Sequence, residues 1–251
     1  KDRGRVLGNA AALLRERIEE VAHVLTLEQG KPLQEARQEI VLSIETMEWD
    51  AAEALRSYGR IIPAHNGETR QMVLREPIGP VLALSPWNFP AVTPVRKISA
   101  ALAAGCSCIL KPAEETPGSS IMLAQILRNA GLPDGVLNVV HGDPDLISRH
   151  LIGSGTIRKL SFTGSVAIGK HLLKLAADQV VRCTMELGGH APVLIFDDAD
   201  IERAAKLGAS SKFRNAGQIC ISPTRFYVQE PVYDKFVEIF LATARALEVG
   251  N

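Results

Sequence analysis

The sequence has no surplus of charge. Its 251 residues carry 28 lysines and arginines against 28 aspartates and glutamates. Neither nucleic acid nor an anionic membrane surface is therefore expected as a partner on electrostatic grounds. Long apolar runs are also missing. The longest, from Ile98 to Leu110, lies between Lys97 and Lys111 and falls short of the about 20 residues a membrane helix needs. No signal or lipidation motif marks either end, and no membrane association is expected. Cysteine is scarce: Cys106, Cys108, Cys183 and Cys220. They make no CxxC pair and no Cys/His cluster with zinc spacing, so no metal site is expected. So few thiols in a chain of this size point to a reducing, cytoplasmic setting.

What is present is ordinary globular composition, 46% hydrophobic and 22% charged, which suits neither a disordered nor a fibrous chain. Val6, Leu7, Ala10, Leu13, Leu14, Ile18, Val21 and Leu25 recur at helical spacing and predict one long amphipathic helix. A second runs from Ala36 to Tyr58, closed by Gly59 and Pro63. Then the period changes. Short apolar strands at 81–85, 106–111, 136–140, 159–164 and 181–187 alternate with helical segments. That order predicts a Rossmann-like, doubly wound parallel α/β sheet. "GGHAP" marks a boundary, giving one domain over 1–187 and the start of a second α/β domain over 188–251. The chain begins inside helical periodicity without an initiator Met and stops just past a helix, so a longer native protein is expected.

A parallel sheet binds ligands outside the carboxyl ends of its strands. Here those ends carry Trp87 and Asn88, Lys111 and Glu114, Gly164 and Ser165, and Glu186. A lysine and a carboxylate can hydrogen-bond the hydroxyls of an adenine ribose, and a helix starting after "TGS" can hold a phosphate. The set suits a dinucleotide, although "GSVAIG" alone is a weak signal. Each residue also has a plainer reading: Glu186 as a solvated loop carboxylate, Asn88 as a turn residue, Lys111 as a surface lysine. Cys106, Cys108 and Cys183 lie in apolar strands and read as core. Cys220 lies in the polar stretch "FRNAGQICIS", which leaves it open as a nucleophile or an idle thiol. None of the six histidines stands in a motif that supports a Cys–His hydrolase.

"SPWNFP", "KPAEETP", "SFTGS", "MELGG" and "FRNAGQIC" together resemble, in order and spacing, the NAD(P)-dependent aldehyde dehydrogenases. The resemblance implies that Cys220 attacks the aldehyde and that Asn88, with the Cys220 backbone N–H, forms the oxyanion hole. Glu186 would activate the water that hydrolyses the thioester, and Lys97 resembles a lysine that helps relay protons. Lys111 and Glu114 look like the ribose ligands, and Trp87, Gly164 and Ser165 like the pyrophosphate site. Glu114 favours NAD, since a carboxylate on the 2′-hydroxyl repels a 2′-phosphate, with NADP as the alternative. Arg96 and Arg214 resemble the arginines that hold a distal carboxylate in the succinate-semialdehyde dehydrogenase branch. Glutarate semialdehyde and a small hydroxyaldehyde are the rival substrates, and a truncated, non-catalytic nucleotide-binding module is the rival function. Ser222 stands where some relatives carry a second cysteine, so no local disulfide switch is expected. "GETRQMVLR" (68–76) resembles part of an oligomerisation hairpin, which implies a homodimer or homotetramer of the intact protein.

Overall fold

A computed structural model describes residues 2–250 and divides them into two compact units. One comprises residues up to 29 together with 33–186, and the other 30–32 together with the residues from 187 onward. Lys1 and Asn251, the outer limits of the two expected domains, lie outside the described residues. The division falls between Glu186 and Leu187. Among the described residues no helix is long and apolar enough to cross a membrane.

The first unit opens with α1 (Asp2–Glu16), α2 (Ile18–Gln29) and α3 (Leu33–Glu53). Leu7, Ala10, Ala11 and Leu14 of α1 are buried, as are Ala36, Ile40, Ile44 and Met47 of α3. Both sets follow the helical period that makes one stripe apolar. The expected single first helix is broken at Arg17. There the backbone N–H bonds to Leu14 three residues back, and Val21 then restarts the ladder on Arg17. The apolar spacing runs through the break unchanged, which is why periodicity does not reveal it.

The second helix ends at Glu53 rather than at Tyr58, and the residues after it form an unexpected strand, β1 (Arg60–Pro63). It pairs antiparallel with β2 (Arg70–Val73), Ile61 opposite Met72. All four residues of β1 are exposed, so no alternation of buried and exposed positions announces it.

The rest of the unit alternates as the pattern predicts: β3 (Val81–Leu84), α4 (Val92–Ala103), β4 (Cys108–Lys111), α5 (Pro117–Asn129), β5 (Leu137–Val139), α6 (Pro144–Gly153), β6 (Lys159–Gly164), α7 (Val166–Ala177) and β7 (Arg182–Leu187). The five strands form one sheet in the order β5-β4-β3-β6-β7. β3 is parallel to both neighbours: Leu84 pairs with Lys111 on one side and Phe162 on the other. Val81 to Leu84 are all buried, as expected of a strand covered on both faces.

The second unit contains β8 (Ala191–Ile195), α8 (Ile201–Phe213), β9 (Pro223–Val228) and α9 (Glu230–Arg245). β8 and β9 are parallel. Its core gathers Ile195, Ile201, Ala205 and Phe236. Phe226 and Phe240 meet edge to face with ring centroids 5.2 Å apart, a favoured aromatic geometry.

Candidate active site

The strand order fixes where a ligand crevice opens. From β3 the chain runs outward through β4 and β5, then returns to the other side of β3 for β6 and β7. The connections therefore part at the carboxyl ends of β3 and β6, the switch point where open α/β sheets bind ligands. The residues delivered there are Trp87 and Asn88 after β3, and Gly164 and Ser165 after β6. Trp87 is exposed and Asn88 half-buried. Ser165 is the N-cap of α7, and its hydroxyl accepts from the N–H of Ile168 at 3.3 Å. Gly164 has no room for a side chain, because a Cβ there would lie 2.4 Å from the Phe162 ring.

Beside these loops lies a cavity of about 320 Å³, within the usual size range of small-molecule sites. Leu84, Pro144, Phe162, Ile168 and Leu172 give it apolar walls, and Lys111 stands at its edge. Lys111 is buried and ion-paired with exposed Glu114. The two expected ribose ligands are thus brought together and satisfy one another. Ser85, also on the wall, has a buried hydroxyl oxygen with no hydrogen-bond partner. Apolar walls, an orphaned hydroxyl and a Lys/Glu pair at the rim fit a planar base with a ribose attached. Pro144 lies in no motif, and "SFTGS" and "GSVAIG" do not by themselves mark Phe162 and Ile168 as a wall. They become a wall only because α6, β6 and α7 converge.

The face of the sheet under α4 is different. Lys97 is 7% exposed, and its Nζ donates to Ser161 Oγ of β6 at 3.1 Å. Lys159, two residues earlier on β6 and so on the same face, donates to Thr184 Oγ1 of β7 at 2.7 Å. Burial lowers the Lys97 pKa to about 8, while the negative charge of Glu186 pulls the other way. An amine with a pKa near neutrality can give and take a proton at working pH. Ser161 and Lys159 were not legible as site residues, since a β6 face is known only once its neighbour is. Glu186, at the end of β7, is exposed. Arg96 precedes Lys97 on α4 but points out to solvent.

Cys220 and Arg214 belong to the second unit. Arg214 is exposed and caps the C-terminus of α8 in an extended conformation. Asn215, Ala216 and Gly217 then all take positive φ, at 49°, 54° and 77°. A left-handed alanine costs about 1–2 kcal/mol, so this turn is held against a local preference. The Asn215 carbonyl receives both the backbone N–H of Gln218 at 3.0 Å and its side-chain amide at 3.1 Å. A further turn closes from the Ser222 N–H to the Ile219 carbonyl at 3.1 Å. Cys220 and Ile221 sit at its corner, both exposed. Buried Ser222 ties the turn back to α8, its hydroxyl donating to the Lys212 carbonyl at 3.3 Å. The loop is pinned at both ends and presents one thiol. The other cysteines are shielded: Cys106 and Cys108 are buried and Cys183 is half-buried. Burial pushes the Cys108 thiol up to about 12, where almost none is thiolate at neutral pH.

Comparison with known proteins bears on the family and the fold. The profile described as Aldehyde dehydrogenase family matches residues 1–251. The 4-(hydroxymethyl)benzenesulfonate dehydrogenase of Comamonas testosteroni is 51% identical over 244 residues, 97% of this chain and 51% of that protein. The NADP(+) succinate-semialdehyde dehydrogenase of Escherichia coli K12 is 45% identical over 251 residues, 100% of this chain and 52% of that one. A crystal structure of an E. coli NADP-dependent enzyme superposes with a TM-score of 0.98 at 44% identity, covering 100% of this chain and 52% of the other. The chain thus spans about half the length of the relatives it matches. With a profile match from end to end and an α/β fold shared with such a structure, the chain belongs to the aldehyde dehydrogenase family.

Proposed function

We propose that the protein carrying this chain oxidises an aldehyde that bears an acidic group at its far end, using a nicotinamide dinucleotide. The observation that carries the reading is Cys220, an exposed thiol at the corner of a pinned, left-handed loop. Its thiolate adds to the aldehyde carbon and forms a thiohemiacetal. The developing oxyanion is received by the Asn88 side-chain N–H and the Cys220 backbone N–H. When bound, the dinucleotide supplies the acceptor for the hydride that leaves this carbon. A thioester on Cys220 remains. Glu186 takes a proton from water as that water attacks it, and the carboxylic acid departs. Lys97, with its lowered pKa, is suited to passing on a proton.

The cofactor is assigned to the first unit. Lys111 and Glu114 would hold the adenine ribose beside the apolar cavity, with Trp87, Gly164 and Ser165 at the pyrophosphate. Glu114 favours NAD, and the name of the E. coli relative, which specifies NADP, keeps NADP as the alternative. For the substrate, Arg96 and Arg214 are assigned to the distal anion, which guanidinium binds in a fork. Succinate semialdehyde fits this assignment. The relatives' names point the same way, one specifying a semialdehyde with a carboxylate and the other a sulfonate. We read the intact protein as a homodimer or homotetramer assembled through the β1–β2 arm, where Ile61, Met72 and Leu74 stand in solvent.

The test is aldehyde-dependent absorbance at the NADH band, with this chain and a full-length protein carrying it measured side by side. Succinate semialdehyde, a sulfonated benzaldehyde and propionaldehyde are compared, each with NAD and with NADP. A preference for both acidic aldehydes over propionaldehyde is expected. Equal rates with all three would remove the arginine assignment and leave the oxidation, and no reduced cofactor with any would remove both.

A further inference from the structure

Two carboxylates of the N-terminal helices end on the helices that follow β3 and β4. Glu39 of α3 is 2% exposed. Its Oε1 accepts from the backbone N–H of Ala91 at 2.8 Å and of Val92 at 3.1 Å, at the start of α4. Ala91, the N-cap of α4, offers no side-chain bond of its own. Glu28 of α2 does the same for α5. Its Oε2 accepts from Gly118 N–H at 2.8 Å and its Oε1 from Ser119 N–H at 2.9 Å. Thr116, the N-cap of α5, makes no side-chain cap. Gly118 makes room for this contact, because a Cβ there would lie 3.0 Å from both Glu28 Oε2 and Val24 Cγ1. By contrast, α6, α7 and α8 are capped locally, by Asp143, Ser165 and Asp200.

The first N–H groups of a helix have no partner within it, and its positive end favours an anion. A shielded carboxylate there makes strong, charge-assisted bonds. Each of these caps also closes a loop of the candidate site. The loop between β3 and α4 carries Trp87 and Asn88. The loop between β4 and α5 carries Glu114 beside Lys111. The start of each helix is where its loop stops being free to move.

We infer that Glu39 and Glu28 are positioning residues for two separable tasks: Glu39 sets the loop that presents Asn88 to the reacting carbonyl, and Glu28 sets the loop that presents Glu114 to the cofactor. This rests on the roles proposed for Asn88, Lys111 and Glu114. Neither glutamate touches substrate or cofactor. Their chemistry differs in one respect that an experiment can use. Glu39 accepts both backbone N–H bonds with one oxygen, so the amide oxygen of Glu39→Gln can keep those two. Glu28 uses one oxygen for each, so Glu28→Gln can keep one at most.

The experiment uses the full-length protein carrying this chain. Glu39→Ala should lower kcat at saturating NAD about tenfold, because a misplaced oxyanion donor weakens the transition state, while its effect on the Kd for NAD, through Trp87 of the same loop, should be smaller than that of Glu28→Ala. Glu28→Ala should raise the Kd for NAD about tenfold and leave kcat at saturating NAD within about twofold. Glu39→Gln should recover most of kcat, whereas Glu28→Gln should not recover NAD binding. Parallel changes of both constants in both variants, as a general loss of folding would produce, would overturn the inference. A second readout needs no turnover. The chain has two tryptophans, Trp49 and Trp87, and Trp49 is exposed on α3. In a Trp49→Phe background of the full-length protein, the emission lost on Trp87→Phe is that of Trp87 and reports the β3–α4 loop. Glu39→Ala should shift it, and Glu28→Ala and Glu39→Gln should not. Unchanged emission in Glu39→Ala would overturn the inference. An inactive wild type with a shifted emission would overturn the proposed reaction and keep the positioning.

Discussion

The two units place their chemistry-bearing side chains differently. In the first, charged side chains are taken deep into the fold and given partners: Lys111 with Glu114, Lys97 with Ser161, Glu39 with the start of α4. In the second, the fully buried apolar core is small, while Leu194, Phe196, Leu207 and Tyr227 remain exposed. Its chemistry-bearing residue stands in solvent on a left-handed loop. Burial tunes a group such as Lys97 by removing water. A loop instead presents a group such as Cys220 to solvent.

Replacing Cys220 gives the largest expected effect. Cys220→Ala should lower aldehyde oxidation by about 10⁴-fold or more, as loss of a nucleophile does. NAD binding, assigned to the first unit, should not change. Loss of NAD binding as well would show the two units to be less separable than the comparison holds. A large contrast in stability should follow from the cores. Leu110→Ala, at a fully buried position of β4, should cost about 2–5 kcal/mol. Leu194→Ala, at an exposed position of β8, should stay within about 0.5 kcal/mol. Urea unfolding compares them directly.

Lys97 sharpens the contrast further. Its pKa falls from 10.5 to about 8 in the fold. Below pH 8 the folded and unfolded chains both hold the proton, and the fold bears the full cost of the buried charge. Between the two pKa values the unfolded chain binds more protons, so stability rises with pH and the cost is gone above about 10.5. Lys97→Met should therefore stabilise the protein by about 1–3 kcal/mol at pH 7, while slowing aldehyde oxidation. Its advantage should shrink as denaturation midpoints are taken at rising pH. A destabilised Lys97→Met at pH 7 would mean that the Ser161 bond outweighs desolvation. A small gain is expected at Ala216, where relief of positive φ is offset by the added freedom of glycine in the unfolded chain. Ala216→Gly should gain about 0.5–1 kcal/mol, read as a small rise in Tm.

Much of this was legible in advance because local physics wrote it. The βα alternation from Val81 to Leu187 follows from short apolar runs between helical periods, and strand ends named Asn88, Lys111, Glu114, Ser165 and Glu186 before any strand order was known. Where burial gave no pattern, reading failed. Fully exposed β1 showed no alternation, and the break at Arg17 left the apolar period intact. The left-handed turn at 215–217 was also invisible, since Ala216 at its centre is not a residue type that favours positive φ.

The sequence by itself determined the fold class, the residue types gathered at the strand ends, and the position of the polar stretch around Cys220. These depend on spacing along the chain, and period and turn chemistry act within a few residues. Only the tertiary structure decided that β3 and β6 are neighbours, that Lys97 meets Ser161, and that Glu28 and Glu39 reach Gly118 and Ala91. Those contacts join residues far apart in sequence. A carboxylate on one helix becomes the cap of another only when packing excludes water and leaves the helix's first N–H groups no other partner.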